Sequence, residues 1–199
     1  MEDFWNERYK TEEYFYGTYP NEFLRTVIGA LKNKSKILCI GEGEGRNAVF
    51  LSLNGFHVTA VDFSEQGRKK ALELSHQHKV SLDYRVCALE NFDFEREKWD
   101  AVISIFCHLP STIRRLVHGR LESGLKSNGI FIFQAYNPGQ LEHKTGGPKD
   151  IDMLYTELII KNDFKNLEWN FLKNSVECLS EGNGHHGISS LLSGIGRKI

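Results

Sequence analysis

Gly41, Gly43 and Gly45, spaced as Gly41-Glu42-Gly43-Glu44-Gly45 and followed by Asp62, are the residues here whose types and spacing suit ligand chemistry. Glycine lets the backbone come close to a bound molecule. The N-terminus of a helix just after such a turn aims free N–H groups at it. An acid about 20 residues further on, at the tip of the next strand, can accept both hydrogen bonds of a ribose diol. Asp62 has a plainer alternative role, as a cap for the helix that Ser64 opens. The dinucleotide fingerprint G-x-G-x-x-G requires glycine at position 46, and this chain has Arg46. A nicotinamide-dependent oxidoreductase is therefore the weaker of two nucleoside-binding readings.

The surrounding elements must hold that turn. Ile37 to Ile40 is a short apolar run that enters the glycines, and Asn47 to Leu53 leaves them with helical character. Val58 to Val61 reads as the second strand and ends on Asp62. Ser64 is expected to cap a helix reaching about His78. Leu82 to Cys87 and Ala101 to Phe106 read as the third and fourth strands. Pro110 suits the first turn of a helix towards Leu125. Asn128-Gly129 turns into a fifth strand, Ile130 to Phe133. Strand and helix alternating at this spacing predict βαβ units and a parallel sheet. Before them, Asn21 is a plausible cap for a helix over 22–32. After them, residues 152–161 have helical character, and 167–178 can pair with 188–199 across Glu181-Gly182-Asn183-Gly184.

A second group of residues invites chemical readings. Cys107 and His108 fall where the fourth strand ends, on the side where open α/β sheets place their ligands. Neighbours on an extended strand point oppositely, so the two do not form a ready nucleophile–base pair. His108 is the candidate for contact with substrate, and no catalytic base is otherwise assigned. His143, His185 and His186 fit no zinc spacing. No metal is expected, and His185-His186 is read as a solvated turn. The four cysteines, Cys39, Cys87, Cys107 and Cys178, form no CxxC pair and are expected to be reduced thiols.

Lys plus Arg number 25 against 26 Asp plus Glu, so no net charge draws the chain to nucleic acid or anionic lipid. Hydrophobic residues at 40% suit a globular chain, and no apolar run reaches the ~20 residues that span a bilayer. The N-terminus, MEDFWNERYK, is neither a secretory signal nor a transit peptide. A cytoplasmic protein acting on a small molecule, as a monomer or weak homodimer, is expected.

The motifs together resemble class I S-adenosylmethionine-dependent methyltransferases. The G-x-G-x-G spacing is similar to their first motif. Trp5 to Leu24, Gly41 to Asn47, Ser104 to Pro110, Thr145 to Asp150, and Glu181-Gly182 with His185 and Gly187 resemble a small bacterial branch. That branch is related to the tellurite-resistance and thiopurine methyltransferases. The resemblance implies a Rossmann-like α/β three-layer sandwich, its seven-stranded, mostly parallel sheet ending in an antiparallel strand. It implies one domain over 1–199: an aromatic lid and helix in 1–32, a cofactor-binding core in 36–136, and a substrate-side loop with a final strand pair in 137–199. S-adenosylmethionine is the implied cofactor, and a thiol or other chalcogen compound the implied acceptor. Gly41, Glu42, Gly43, Gly45 and Asn47 would line its methionine and ribose side, with Phe106 close by. Asp62 and Phe63 would meet the ribose, and Ala88 and Leu89 the adenine. Two positions depart from the family. Cys39 stands where an acid is usual, which leaves Glu42 or Glu44 to anchor the ammonium. Ala88 replaces a frequent aspartate, leaving the adenine to backbone groups or Glu90. A cofactor-binding module without turnover is the alternative these departures suggest.

Overall fold

The computed structural model describes residues 2–199; Met1, the first residue of the expected lid, lies outside them. Seven strands form one sheet in the order β3-β2-β1-β4-β5-β7-β6. Strands β1 (Lys36–Ile40), β2 (His57–Asp62), β3 (Asp83–Val86), β4 (Trp99–Ile105) and β5 (Leu125–Tyr136) run parallel. β7 (His185–Lys198) is antiparallel to β5, and β6 (Leu167–Glu181) pairs antiparallel with β7 at the sheet edge. The expected α/β sheet with an antiparallel last strand is the observed one.

Alternation along the strands divides the core between the two faces. Ile37, Cys39, Ala101, Ile103, Ile130 and Ile132 pack with Leu24, Leu51 and Ala71. These come from α2 (Glu22–Val27), α3 (Arg46–Leu53) and α4 (Glu65–Gln77). Leu38, Ile40, Val102, Phe131 and Phe133 face the other way, against Val117, Leu121, Ile160 and Phe164. Those belong to α5 (Ser111–Gly124) and to α6 (Glu157–Asp163) with its C-cap. A strand apolar on both faces needs helices on both, which is why the run Ala101 to Ile105 reads continuous rather than alternating.

Several caps are where the residue types require. The Asn21 side chain accepts from the Leu24 N–H and the Ser64 side chain from the Gly67 N–H. Three elements differ from expectation. Helical structure after the 3-10 turn at Ile151–Met153 starts only at Glu157, where Thr156 caps it. β5 begins at Leu125, before the expected turn, because Asn128 takes φ +63° inside the strand and the register shifts there. The hairpin strands β6 and β7 run to Glu181 and from His185, so that the tip reaches the site. At the N-terminus, α1 (Glu2–Tyr9) packs on α4.

Candidate active site

The glycine turn leaves β1 with Gly41, Gly43 and Gly45 all in the left-handed region, at φ +60°, +59° and +89°. Side chains at these positions would be strained and would also collide. A Cβ on Gly41 would stand 2.7 Å from Cys107 Sγ, and one on Gly43 2.6 Å from the Tyr9 hydroxyl. Asp62 ends β2 beside the turn. Its Oδ2 accepts from the Gly43 N–H at 3.0 Å and its Oδ1 from the Ser64 N–H at 2.9 Å. The capping reading of this residue therefore holds: it braces the helix entry, and it also holds the glycine turn. A carboxylate has about four lone-pair sites, so two remain for ribose hydroxyls. Burial raises its pKa to about 6, against the pull of those N–H groups. Beneath the turn, the Tyr84 hydroxyl donates to the Gly43 carbonyl at 2.6 Å.

The two glutamates of the turn have separate tasks. Glu42 Oε1 accepts from the N–H groups of Asn47 and Ala48, at 3.0 and 2.8 Å, and so caps α3. Burial pushes its carboxyl up to about 7, and burial likewise raises the Cys39 thiol, to which the Glu42 charge adds. A carboxylate from the turn thus lies close to the position whose acid is missing. Glu44 faces the N-terminal segment. Its Oε2 accepts from the Phe15 N–H at 2.8 Å, and its Oε1 pairs with Lys70 Nζ at 2.6 Å. Lys70 also donates to the Glu13 carbonyl. Glu44 is committed to holding residues 13–16 in place.

Further round, Cys87 N–H donates to the Asp62 carbonyl at 2.9 Å, which places Ala88 next to Asp62. Phe63 and Ala88 are half-buried, while Leu89 is buried among the core side chains of its face. Asn47 Oδ1 accepts from the Asn21 N–H at 2.8 Å. Phe106 follows β4 with φ +54°, a conformation uncommon for an aromatic residue. Its ring lies 4.9 Å from Tyr136 and 4.1 Å from His185. Cys107 is buried, and burial raises its thiol to about 12, so it is no thiolate. His108 Nδ1 meets the Met153 carbonyl at 2.7 Å, and its Nε2 accepts from the Tyr136 N–H at 3.2 Å. Burial lowers its pKa to about 4. This neutral ring links β5 to the 151–155 segment through both nitrogens.

Residues not singled out from the sequence complete the site. Arg46 Nη2 pairs with Glu181 Oε2 at 2.7 Å, both side chains being buried. Glu181 Oε1 accepts from Asn21 Nδ2, which also donates to Gln134 Oε1 at 2.8 Å. Burial alone would raise the Glu181 carboxyl, but the His185 hydrogen bond and the Arg46 charge hold it at about 2. His185, read as part of a solvated turn, is instead 5% exposed. The long hairpin carries it inward, where its Nδ1 lies 3.1 Å from Glu181 Oε2. His186, its neighbour, points out. Only the resemblance around Glu181 and His185 signalled this region; strand periodicity could not, because the partners are distant in the chain. Among the described residues no cluster of His, Cys, Asp or Glu could hold a metal.

Residues 37–129 match the family described as a methyltransferase domain. A protein of Geobacillus sp. (strain WCH70), provisionally assigned as a methyltransferase, is 29% identical over 116 residues. That match covers 54% of this chain and spans under half, 45%, of the relative's own length. Among solved structures, TehB from Haemophilus influenzae aligns with TM-score 0.73 and 18% identity, over all of this chain and 67% of that one. The N-methyltransferase NodS from Bradyrhizobium japonicum WM9, with S-adenosyl-L-homocysteine bound, aligns with TM-score 0.76 and 13% identity, over 99% and 97%. A structure described for the conversion of a disulfide bond into a thioacetal group in echinomycin biosynthesis gives TM-score 0.81 and 13% identity, over 100% and 91%. At these identities the structural likeness is one of fold. Residues 37–129 are thus similar to a methyltransferase domain, and the chain as a whole shares the fold of the N-methyltransferase NodS.

Proposed function

We propose that this chain transfers a methyl group from S-adenosylmethionine to a small-molecule acceptor, with a thiol or other chalcogen compound as the acceptor class. The observation that carries the cofactor half is the glycine turn held against Asp62 by the 3.0 Å bond from Gly43. The residues present fit the group: glycine-only backbone at Gly41, Gly43 and Gly45, an acid with free lone pairs at Asp62, and the half-buried Phe63 and Ala88 beside it. Glu42 and Asn47 shape the methionine side from the start of α3, and Leu89 and Phe106 bound the two ends. When bound, the cofactor supplies an electrophilic methyl carbon. What remains for the protein is alignment and exclusion of water.

The acceptor half rests on the walls beyond Phe106. Tyr16, Phe106, Tyr136 and His185 are packed ring to ring there, with centroids 4.1 to 5.7 Å apart. The nearby charges, Arg46 and Glu181, neutralise each other. Such a wall suits a small, soft, weakly hydrated nucleophile better than a phosphorylated or polycationic one. Residues 2–19 serve as a lid in this reading. The unpaired cysteines among the described residues agree with a cytoplasmic setting, and the chain is taken to act as a monomer or weak homodimer.

Isothermal titration with S-adenosylmethionine, S-adenosylhomocysteine and NADH tests the cofactor half. Micromolar binding of the first two and none of NADH is expected; tight NADH binding alone overturns it. A panel of thiols, chalcogen oxyanions and amines, scored by S-adenosylhomocysteine release, tests the acceptor half. Turnover of amines only would move the acceptor class.

A further inference from the structure

The walls beyond Phe106 contain two polar atoms that the fold leaves free. Tyr136 is 1% exposed, yet its hydroxyl has no hydrogen-bond partner among the described residues. Ser189 lies nearby; its hydroxyl donates to the Gly187 carbonyl at 3.2 Å and makes no hydrogen bond to Tyr136. A buried orphan hydroxyl is costly to keep, so its retention here calls for an explanation. The second atom is on His185. Its Nδ1 side is taken by Glu181, which fixes the tautomer with the proton on Nδ1 and leaves Nε2 as a lone pair. No hydrogen bond to Nε2 occurs among the described residues. The ring is sandwiched by Tyr16 at 4.4 Å and Phe106 at 4.1 Å, and meets Tyr136 edge-on at 5.7 Å.

This neighbourhood joins the cofactor side directly. Cys107 touches the backbone of Gly41, and Phe106 precedes it. Gly146 borders this neighbourhood from the other side: a Cβ there would stand 3.2 Å from the Tyr136 hydroxyl and 3.7 Å from the His185 ring. Glu181 holds His185 as a carboxylate holds a catalytic imidazole, and Arg46 keeps that carboxylate ionised. His108, although nearer the strand ends, has both nitrogens in use.

We infer that His185 is the general base that deprotonates the methyl acceptor, that Glu181 positions it, and that the Tyr136 hydroxyl binds the acceptor atom as it becomes anionic. This rests on the thiol reading above and names its catalytic groups. The acceptor S–H bond breaks, its proton passes to His185 Nε2, and the electron pair stays on sulfur under the Tyr136 hydrogen bond. That sulfur forms a bond to the methyl carbon, whose former bond breaks with its pair remaining on the donor sulfur. His185 then returns the proton to water when the site opens. Burial and the Arg46 charge keep the imidazole neutral beforehand, despite Glu181.

Two thiols of different acidity separate a base from a structural residue. 2-Mercaptoethanol is largely protonated at neutral pH, whereas benzenethiol is largely ionised and needs no base. His185→Gln is expected to slow methylation of 2-mercaptoethanol by about 100-fold. Benzenethiol turnover should stay within about threefold, and the Kd for S-adenosylhomocysteine should not change. Equal loss on both thiols, or loss on neither, overturns the base assignment. Tyr136→Phe supplies a readout that needs no turnover. It deletes no hydrogen bond, so the melting temperature should hold or rise. Titration of benzenethiolate into the S-adenosylhomocysteine complex should show about tenfold weaker binding. Unchanged binding, or a clear drop in melting temperature, overturns its role. Should the wild type bind S-adenosylhomocysteine but neither bind nor methylate any thiol, this inference fails while the methyltransferase assignment stands.

Discussion

In the proposed function, Asp62 serves both the fold and a ligand. Its two oxygens each hold a backbone N–H, of Gly43 and Ser64, so Asp62→Asn forces an amide donor against one of them. The variant should also lose one charge-assisted acceptor for the ribose. Cofactor affinity should fall by about 1.5–3 kcal/mol, roughly 10- to 150-fold in Kd by titration. An unchanged Kd would remove Asp62 from the site. Glu42 permits a cleaner test, because Oε1 alone accepts both of its bonds and an amide oxygen can replace it. Its folded pKa is raised from the carboxylate range to about 7. Between those values the folded state binds more protons than the unfolded state, so this group's contribution falls as pH rises. The buried histidines act in the opposite sense, since His108, lowered to about 4, stays unprotonated while the unfolded chain takes up protons. The difference between Glu42→Gln and wild type isolates the carboxyl. In urea unfolding without cofactor, the variant should gain on wild type from pH 5 to pH 8, by up to roughly 3 kcal/mol. A difference flat with pH would show that Glu42 is not buried as a titrating group.

The N-terminal segment is the element whose role most depends on its ties. Asn6 accepts from the Ser64 hydroxyl at 2.7 Å, Tyr14 donates to the Lys70 carbonyl at 3.0 Å, and Tyr9 lies over Gly43. These contacts cover the glycine turn without belonging to the sheet. Removing residues 1–19 should weaken S-adenosylhomocysteine binding at least about tenfold, ~1.4 kcal/mol. It should leave a cooperatively folding domain with a lower melting temperature. Hydrogen exchange should show the amides of residues 5–16 protected further on binding; strong, equal protection with and without ligand would make the segment a permanent layer. The βαβ core was legible in the sequence because strand and helix periods, the caps Asn21 and Ser64, and the glycine turn are local signals. The start of β5 and the hairpin ends of β6 and β7 were not, since the bulged Leu125–Asn128 carries no alternation and Leu179–Glu181 and His185–Gly187 flank glycines that read as a turn. The same limit hid Arg46, Asn21, Gln134 and Glu181 as partners. Each is a common polar residue alone, and only the sheet order brings β5, the hairpin and α3 together.

At the scale of the whole molecule, the site lies where every large part meets, so ligand binding should register in global stability. At 100 times its Kd, S-adenosylhomocysteine stabilises by about 2.7 kcal/mol, which for a chain of this size raises the melting temperature by about 5–10 °C. NADH at the same concentration should not move it, and a shift with NADH alone would contradict the cofactor assignment. The meeting of parts is most compact at Phe15. Its N–H goes to Glu44 of the glycine turn, and its carbonyl receives the N–H groups of Asn183 and Gly184 at the hairpin tip. The two ends of the chain are consequently unequal as points of attachment. Anything fused ahead of α1 emerges within one helix of this junction. β7, running antiparallel, delivers the exposed Ile199 to the opposite end of the sheet, beside the start of β6. Immobilisation or labelling through that end leaves the Phe15 junction unencumbered, and a fluorophore there would serve as a fixed reference for one placed on α1.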